Sequence, residues 1–316
     1  MKLLVTGGAG FIGSHFVDYI LGKYPLYEVV NLDALTYAGN KDNLKIVMPD
    51  PRHKFVHGRI EDAALAGRLV PGVDAIINFA AETHVDRSIT GPQAFIKSNV
   101  EGALVLLEAA REHRTGLYFQ VSTDEVYGPS KLDARDKNTE DARLNPISPY
   151  AASKAAADLL VLAYHRTFGL PVVISRCTNN YGSRQNAEKF LPTVILNAFH
   201  DRPIPVYGDG QYMRDWIHVQ DHCRAIDMIL HRGRNGEIYN IAPGNEWLNI
   251  DIARKILKLM DKPEKLISFV TDRPGHDRRY AIDAGKIRQE LQWQAEVPWE
   301  EGLRELITWY TGEGAG

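Results

Sequence analysis

Cysteine, long apolar runs and blocks of basic residues are all scarce in this sequence of 316 residues. Its two cysteines, Cys177 and Cys223, have neither metal-ligand nor redox spacing, and so few thiols favour a reducing compartment. We therefore expect two free thiols and no metal site. Because no apolar run is long enough for a signal peptide or a membrane span, we expect a cytoplasmic protein without a membrane partner.

Charge of one sign is not in excess either. The chain has 37 Lys and Arg against 40 Asp and Glu, which gives a formal net charge of -3. Both signs are interspersed, which argues against a nucleic-acid partner, although a small anionic ligand needs only a local basic pocket. With 44% hydrophobic residues, the chain can bury the core of one large domain or of two modest ones.

A glycine-rich turn follows the first apolar run and precedes a segment with helical spacing. Gly8, Gly10 and Gly13 fit the pattern G-x-G-x-x-G, whereas Gly7, Gly10 and Gly13 fit G-x-x-G-x-x-G. Either spacing allows close approach of a pyrophosphate to free N–H groups at a helix start. The second apolar run ends in Asp33, where an acid binds the adenosine ribose and repels a 2′-phosphate. The segment therefore predicts an NAD site rather than an NADP site.

Apolar runs and helical patterns alternate over the first half of the chain. Further strands are predicted at 54–57, 75–79, 117–121 and 171–175, with helices at 94–111 and 149–168. Strands separated by helices favour a parallel sheet, because parallel neighbours require crossover connections. We expect an α/β protein with a Rossmann-like, doubly wound parallel sheet and a smaller, mixed α/β C-terminal substrate lobe. The sheet domain is predicted over 1–178, with 215–242 returning to it, and the lobe over 179–316.

Four residues are the first candidates for chemistry. Asp124 and Glu125 follow the fifth predicted strand, and ligands of open α/β sheets lie beyond the carboxyl ends of the strands. Taken alone, two such acids are more often exposed and idle. Tyr150 and Lys154 lie on one face of a predicted helix. A neighbouring ammonium favours the phenolate, so this pair predicts a base with a lowered pKa.

Several longer motifs carry a resemblance to a known family. They are Asp33–Asn40 (DALTYAGN), Ala80–Ser88 (AAETHVDRS), Ser122–Gly128 (STDEVYG), Asn179–Gly182 (NNYG), Val206–Gly210 (VYGDG) and Thr271–Tyr280 (TDRPGHDRRY). On these residues, and nearly from end to end, the chain resembles the extended short-chain dehydrogenase/reductase superfamily and, within it, the dTDP-glucose 4,6-dehydratases. It departs from them at Arg59, where the family usually carries an Asp that approaches the adenine.

The resemblance implies 4,6-dehydration of a nucleoside-diphosphate hexose, with dTDP-glucose favoured. Tyr150 would take the proton from the sugar O4, with Thr123 at the same oxygen and Lys154 on the nicotinamide ribose. NAD would accept the C4 hydride and later return it to C6. Glu125 would remove the C5 proton, and Asp124 would protonate the departing C6 hydroxyl. Because neighbouring carboxyls disfavour double ionisation, the pair itself helps to keep one of them protonated.

The resemblance also assigns binding residues and an assembly. The residues expected to bind NAD are Gly7, Gly10, Phe11, Ile12, Gly13, Asp33, Leu35, Thr36, Ile60, Ala80, Ala81, Asn99, Tyr150, Lys154 and Asn180. Those expected to bind the nucleotide sugar are Thr83, Thr123, Asn179, Lys189, Phe190, Pro205, Tyr207, Arg214, Asn249, Arg273 and His276. The helices at 94–111 and 149–168 resemble those that form a four-helix bundle in homodimers of the superfamily.

Three alternative functions stay open. A nucleotide-sugar 4-epimerase of the same superfamily shares the glycine turn and the Tyr-Lys pair, but it needs no acid pair for elimination. A dehydratase of UDP-, GDP- or CDP-linked sugars would differ only in a few contacts to the base. A catalytically inactive NAD-binding sensor would have no need to retain both the Tyr-Lys pair and the carboxyl pair.

Overall fold

The structure is a computed structural model that describes residues 1–132, 136–272 and 275–312. Its strands are β1 (Lys2–Thr6), β2 (Glu28–Asp33), β3 (His53–His57), β4 (Ala75–Asn78), β5 (Leu117–Thr123), β6 (Val172–Cys177), β7 (Asn179–Tyr181), β8 (Ile204–Tyr207), β9 (Met213–His218), β10 (Ile238–Ile241), β11 (Glu246–Leu248) and β12 (Ile267–Val270). Its α-helices are α1 (Phe11–Lys23), α2 (Ala63–Leu69), α3 (Val85–Thr90), α4 (Pro92–Phe95), α5 (Gly102–Glu112), α6 (Pro149–Phe168), α7 (Phe190–Phe199), α8 (Val219–Arg232), α9 (Asn249–Leu259), α10 (Gly285–Leu291) and α11 (Trp299–Thr311).

A seven-stranded sheet in the order β10-β6-β5-β4-β1-β2-β3 forms the centre of the molecule, and all its strand pairs are parallel. A three-stranded sheet, β11-β9-β7, and a two-stranded sheet, β12-β8, lie in the second half of the chain. This architecture confirms the predicted α/β fold with a Rossmann-like sheet and a smaller mixed lobe. The return to the central sheet begins at α8, because β9 pairs with β7 and β11 in the smaller sheet.

The central strands are nearly continuous apolar runs because helices cover both faces of the sheet. Leu3 and Val5 of β1 pack into one apolar cluster with α1 and α8, whereas Leu4 packs into a second cluster with α2, α5 and α6. A third cluster joins α7, α9 and α11 in the smaller lobe. Residues 282–293 also pack into the first cluster. The division of the chain at residue 178 stays a prediction.

The helix predicted over 94–111 is not a continuous α-helix. Between α4 and α5 the chain forms π-helical turns over Ile96–Glu101, and these turns carry Asn99. The Asn99 amide bonds the backbone of Glu82 and the hydroxyl of Ser153, so it faces the cleft loops rather than a neighbouring turn of its own helix. Turns of this kind occur mostly near functional sites.

The two cysteines behave as expected. Cys177 and Cys223 are buried free thiols, which confirms that prediction. Across the described ranges, no helix is both long and apolar enough to cross a bilayer. The same part of the chain contains no group of three or more His, Cys, Asp or Glu side chains that could hold a metal ion.

Candidate active site

One cleft, between the carboxyl ends of the central strands and the smaller lobe, brings together most of the predicted site residues. Its lining includes the four catalytic candidates, Thr123, and all the predicted cofactor and substrate residues except three. Leu35 and Asn99 do not line it, and Arg273 lies outside the described residues. Residues that are up to 269 positions apart in the chain therefore meet at one place, from Gly7 to His276.

The glycine turn fits an anionic diphosphate. Gly7 has a φ of +70°, and a Cβ there would lie 2.7 Å from the backbone N of Ala80, so only glycine suits the position. A Cβ on Gly13 would collide with the carbonyl oxygen of Gly7. Gly10 is the N-cap of α1 and supplies no side-chain cap, so the first N–H groups of the helix remain available to a ligand. The positive φ at Gly7 favours the spacing G-x-x-G-x-x-G.

Asp33 is held rigidly at the end of β2. Its Oδ2 accepts a hydrogen bond from the Ala9 N–H at 2.8 Å, and its Oδ1 accepts one from the Leu35 N–H at 2.7 Å. Burial raises the pKa of Asp33, and these two hydrogen bonds oppose that shift. Leu35 thus supports the carboxylate through its backbone instead of lining the cleft, and Asp33 is fixed where a ribose can reach it.

Asn99 also does not line the cleft but contacts residues that support its lining. Its Oδ1 accepts from the Glu82 N–H at 2.7 Å, and its Nδ2 donates to the Glu82 carbonyl at 3.0 Å and to the Ser153 Oγ at 2.8 Å. These bonds tie the loop after β4, which contains Ala80 and Ala81, to helix α6. Asn99 therefore positions predicted cofactor residues and does not itself line the cleft.

The carboxyl pair lies on the 3-10 turn Asp124–Tyr127 that continues β5. Asp124 is only 4% exposed; its Oδ1 accepts from the Thr123 hydroxyl at 3.2 Å, and its Oδ2 has no hydrogen-bond partner among the described residues. Burial, followed by the charge of Glu125, raises the pKa of Asp124 to about 8, although Arg214 opposes the shift. Asp124 is therefore a protonated acid at neutral pH, next to a half-buried Glu125.

Tyr150 and Lys154 reach the cleft from the first turns of α6. The Lys154 Nζ donates to the Val121 carbonyl at 2.7 Å, and burial lowers the pKa of Lys154 to about 8 against the opposing charge of Asp158. The pKa of Tyr150 is raised rather than lowered, because burial and the nearby charge of Glu125 outweigh its hydrogen bond with Thr123. The phenol is therefore neutral at pH 7, which differs from the phenolate that the spacing predicts.

The smaller lobe contributes cationic and aromatic groups. Arg214 is buried; it donates to the carbonyl oxygens of Met213 at 2.7 Å and Asp277 at 2.8 Å and lies over the ring of Tyr280. The His276 ring stacks on Tyr212 at 3.7 Å, and its Nδ1 lies 2.7 Å from an oxygen of Asp272. Contacts within the protein thus hold both side chains in place.

The cleft also contains His222, which was not predicted. His222 on α8 is fully buried, with Nδ1 2.8 Å from the Oδ1 of Asn180, and burial lowers its pKa to about 3. No sequence signal pointed to it, since a lone His in a helix is usually structural. His84 also lines the cleft, as does Arg59, whose guanidinium lies 3.5 Å from a carboxylate oxygen of Glu61.

Comparison with known proteins extends these observations. Residues 4–306 match the family model described as GDP-mannose 4,6 dehydratase. The low-salt glycan biosynthesis protein Agl12 of Haloferax volcanii is 49% identical, over 99% of each chain. A dTDP-glucose 4,6-dehydratase of Xanthomonas campestris pv. campestris is 49% identical, over 97% of this chain and 92% of its own. The crystal structure of DesIV, a dTDP-glucose 4,6-dehydratase of Streptomyces venezuelae with NAD bound, superposes with a TM-score of 0.95 at 49% identity and covers 98% of this chain and 97% of its own.

Proposed function

The chain belongs to the GDP-mannose 4,6-dehydratase family, and from this premise we propose that it converts dTDP-glucose into dTDP-4-keto-6-deoxyglucose, with NAD as its cofactor. This is the reaction of a carbon–oxygen lyase. Two of the relatives at 49% identity, which match almost the whole chain, are dTDP-glucose 4,6-dehydratases, and one of these two was crystallised with NAD. The family model itself names a different nucleotide sugar, so the preference for dTDP rests on these relatives.

The observation that carries the proposal is the state of the carboxyl pair. Elimination of water across C5 and C6 needs one group that accepts a proton and another that donates one. Asp124, with its pKa raised to about 8, holds a proton at neutral pH. Glu125 is the adjacent group in the chain. A 4-epimerase has no use for a buried protonated acid at this position, so the pair favours a dehydratase.

Each step can be assigned to residues of this chain. Tyr150, hydrogen-bonded with Thr123, acts in its ionised form: it first loses its own proton to solvent and then receives the proton of the sugar O4 hydroxyl. We assign Lys154 to the nicotinamide ribose. NAD, when bound, supplies the acceptor for the C4 hydride and its return to C6. The 4-ketone makes the C5 hydrogen acidic, and Glu125 removes that proton. Asp124 donates its own proton to the departing C6 hydroxyl, which leaves as water. As the hydride is returned to C6, Glu125 gives its proton back to C5, which completes the 6-deoxy sugar.

The binding residues complete the proposal. The glycine turn, the uncapped start of α1 and the fixed carboxylate of Asp33 fit the diphosphate and ribose of NAD. We assign the sugar nucleotide to the side of the cleft formed by the smaller lobe, where Arg214 and His276 offer donors for phosphate. The remaining residues of that assignment are Thr83, Thr123, Asn179, Lys189, Phe190, Pro205, Tyr207, Asn249 and, outside the described residues, Arg273. The expected location is the cytoplasm.

A labelling experiment tests the reaction. With dTDP-glucose carrying deuterium at C4, the product should carry that deuterium at C6, and no added reductant should be required. Mass spectrometry and NMR of the product measure both its identity and the position of the label. A 4-epimerised sugar, or loss of the label to solvent or to free reduced cofactor, would contradict the proposed dehydration with internal return.

We further propose a homodimer formed through α5, α6 and the preceding π-helical turns. Ile96, Leu104 and Leu159 are 48%, 38% and 58% exposed on these helices, so apolar surface there is left uncovered in one chain. Light scattering should therefore give a mass of twice 35.5 kDa. Replacing Leu104 and Leu159 by Glu should yield a folded monomer, whereas Leu26→Glu, at a position 87% exposed elsewhere, should leave the dimer intact. A monomeric parent protein would contradict the proposal.

A further inference from the structure

Residues 183–189, here called the strap, connect the smaller lobe to three segments of the dinucleotide-binding half. The Arg184 guanidinium binds Asp18 and Ser14 of α1, with contacts of 2.7 and 3.3 Å, and the Ser183 carbonyl lies 2.9 Å from the His15 Nε2. Further along, Asn186 donates to the carbonyl oxygen of Tyr37 at 3.4 Å. The strap thus spans from α1 to the loop after β2.

The far end of the strap is attached to the loop after β4 and to α3, which follows that loop directly. Lys189 donates to the carbonyl oxygen of Thr83 at 3.2 Å, and Glu188 forms an ion pair with Arg87 at 3.1 Å. Gln185, Asn186, Glu188 and Lys189 all line the cleft, together with the glycine turn and Asp33. The three segments that the strap joins are therefore those that surround the dinucleotide site.

Where the strap contacts α1, both the backbone of Arg184 and its ion pair with Asp18 are constrained. Arg184 has a φ of +65°, a conformation that is uncommon for residues other than glycine and persists where surrounding contacts fix it. The Arg184 and Asp18 side chains are only 12% and 19% exposed, so water screens their charges poorly. Arg184 contacts the Asp18 Oδ2, whereas the Asp18 Oδ1 has no hydrogen-bond partner among the described residues, which makes Arg184 the main support of this carboxylate.

We infer that Arg184 is a positioning residue whose ion pair with Asp18 holds the strap against α1 and thereby slows the escape of bound NAD. The inference rests on the proposed function in one respect, namely that NAD is the cofactor. Internal return of the hydride requires that the cofactor remain from C4 oxidation until reduction at C6. If the cofactor left between these steps, a ketone intermediate would remain with no reductant to complete the reaction.

The test measures the dissociation of radiolabelled NAD from the loaded protein after a chase with excess unlabelled NAD. Arg184→Gln and Asp18→Asn should each speed dissociation by about tenfold, which corresponds to about 1.4 kcal/mol. The double variant should be no faster than either single variant, because both remove the same interaction. Arg184→Lys, which keeps the charge but loses the second donor, should lie between Arg184→Gln and the parent. Since no sugar nucleotide is present, the result does not depend on the dehydration reaction.

Lys23→Gln is the matched control. Lys23 lies on the same helix and forms an ion pair of 2.6 Å with Asp227, but it does not line the cleft. This variant should lower the melting temperature without changing the dissociation of NAD, which separates positioning of the strap from general loss of stability. Parent-like dissociation from Arg184→Gln, additive effects in the double variant, or equal acceleration by Lys23→Gln would each overturn the inference.

Discussion

Asp124→Asn is expected to slow water elimination by about 10²- to 10⁴-fold, the range that general acid catalysis contributes. The amide has nearly the shape of the protonated carboxyl but has no proton to give to the departing C6 hydroxyl. C4 oxidation should still occur, because Tyr150 and Lys154 remain unchanged. Rapid mixing with dTDP-glucose should therefore show reduced nicotinamide accumulating in the variant, whereas product forms at a much lower rate than in the parent.

The pH dependence of elimination provides an independent check on the same assignment. The pKa of Asp124 is raised to about 8, so its protonated fraction is high at neutral pH and falls as the pH rises through that value. The parent should lose elimination above about pH 8. Glu125→Gln should also slow elimination while permitting cofactor reduction. An equal loss of the reduction step in Asp124→Asn and Glu125→Gln would show that the two acids have been assigned to the wrong half of the reaction.

Tyr150→Phe is expected to slow C4 oxidation itself by about 10²- to 10⁴-fold, because the variant has no group at O4 that can take the proton. Phenylalanine keeps the ring in its buried position and removes only the hydroxyl. The absorbance of reduced nicotinamide should then fail to rise on mixing with dTDP-glucose, although NAD should still bind through the glycine turn and Asp33. Cofactor reduction at the parent rate would exclude Tyr150 as the base.

The effect of Glu125 on the pKa of Tyr150 provides a control for the role of Tyr150 as the base. Its charge raises the pKa of Tyr150, second only to burial, so neutralising it should lower that pKa. In Glu125→Gln, C4 oxidation should therefore reach its full rate at a lower pH than in the parent. A shift in the opposite direction would mean that the carboxylate does not act on the phenol.

The sequence predicted the parts of the fold that depend on local pattern. The alternating runs indicated the parallel sheet, and the glycine turn with Asp33 indicated a dinucleotide site. The sequence could not decide between the two glycine spacings, because the choice depends on the φ of Gly7 and on its contact with Ala80. Nor could periodicity predict the π-helical turns at 96–101, where bonds from Asn99 to Glu82 and Ser153 accompany the irregular helix.

Side-chain electrostatics were the least predictable part of the site. The spacing of Tyr150 and Lys154 shows that they share a helix face. It does not show whether a charged residue from another element also shifts the pKa of the phenol. In the structure Lys154 binds the carbonyl oxygen of Val121, and the charge of Glu125, which is 25 positions before Tyr150, acts on the phenol. The strap was missed for a similar reason, since its contacts with α1 join residues about 170 positions apart.

The burial of Asp124 also links folding to proton uptake. An aspartate in the unfolded chain, with an ordinary pKa of 3.8, is ionised at neutral pH, whereas the folded chain keeps this group protonated up to about pH 8. Folding near neutrality therefore takes up a proton here, and the associated stability is complete below about pH 4 and lost as the pH rises towards 8. The folded state thus gives up stability to hold an acid ready for elimination, as expected where activity and stability compete.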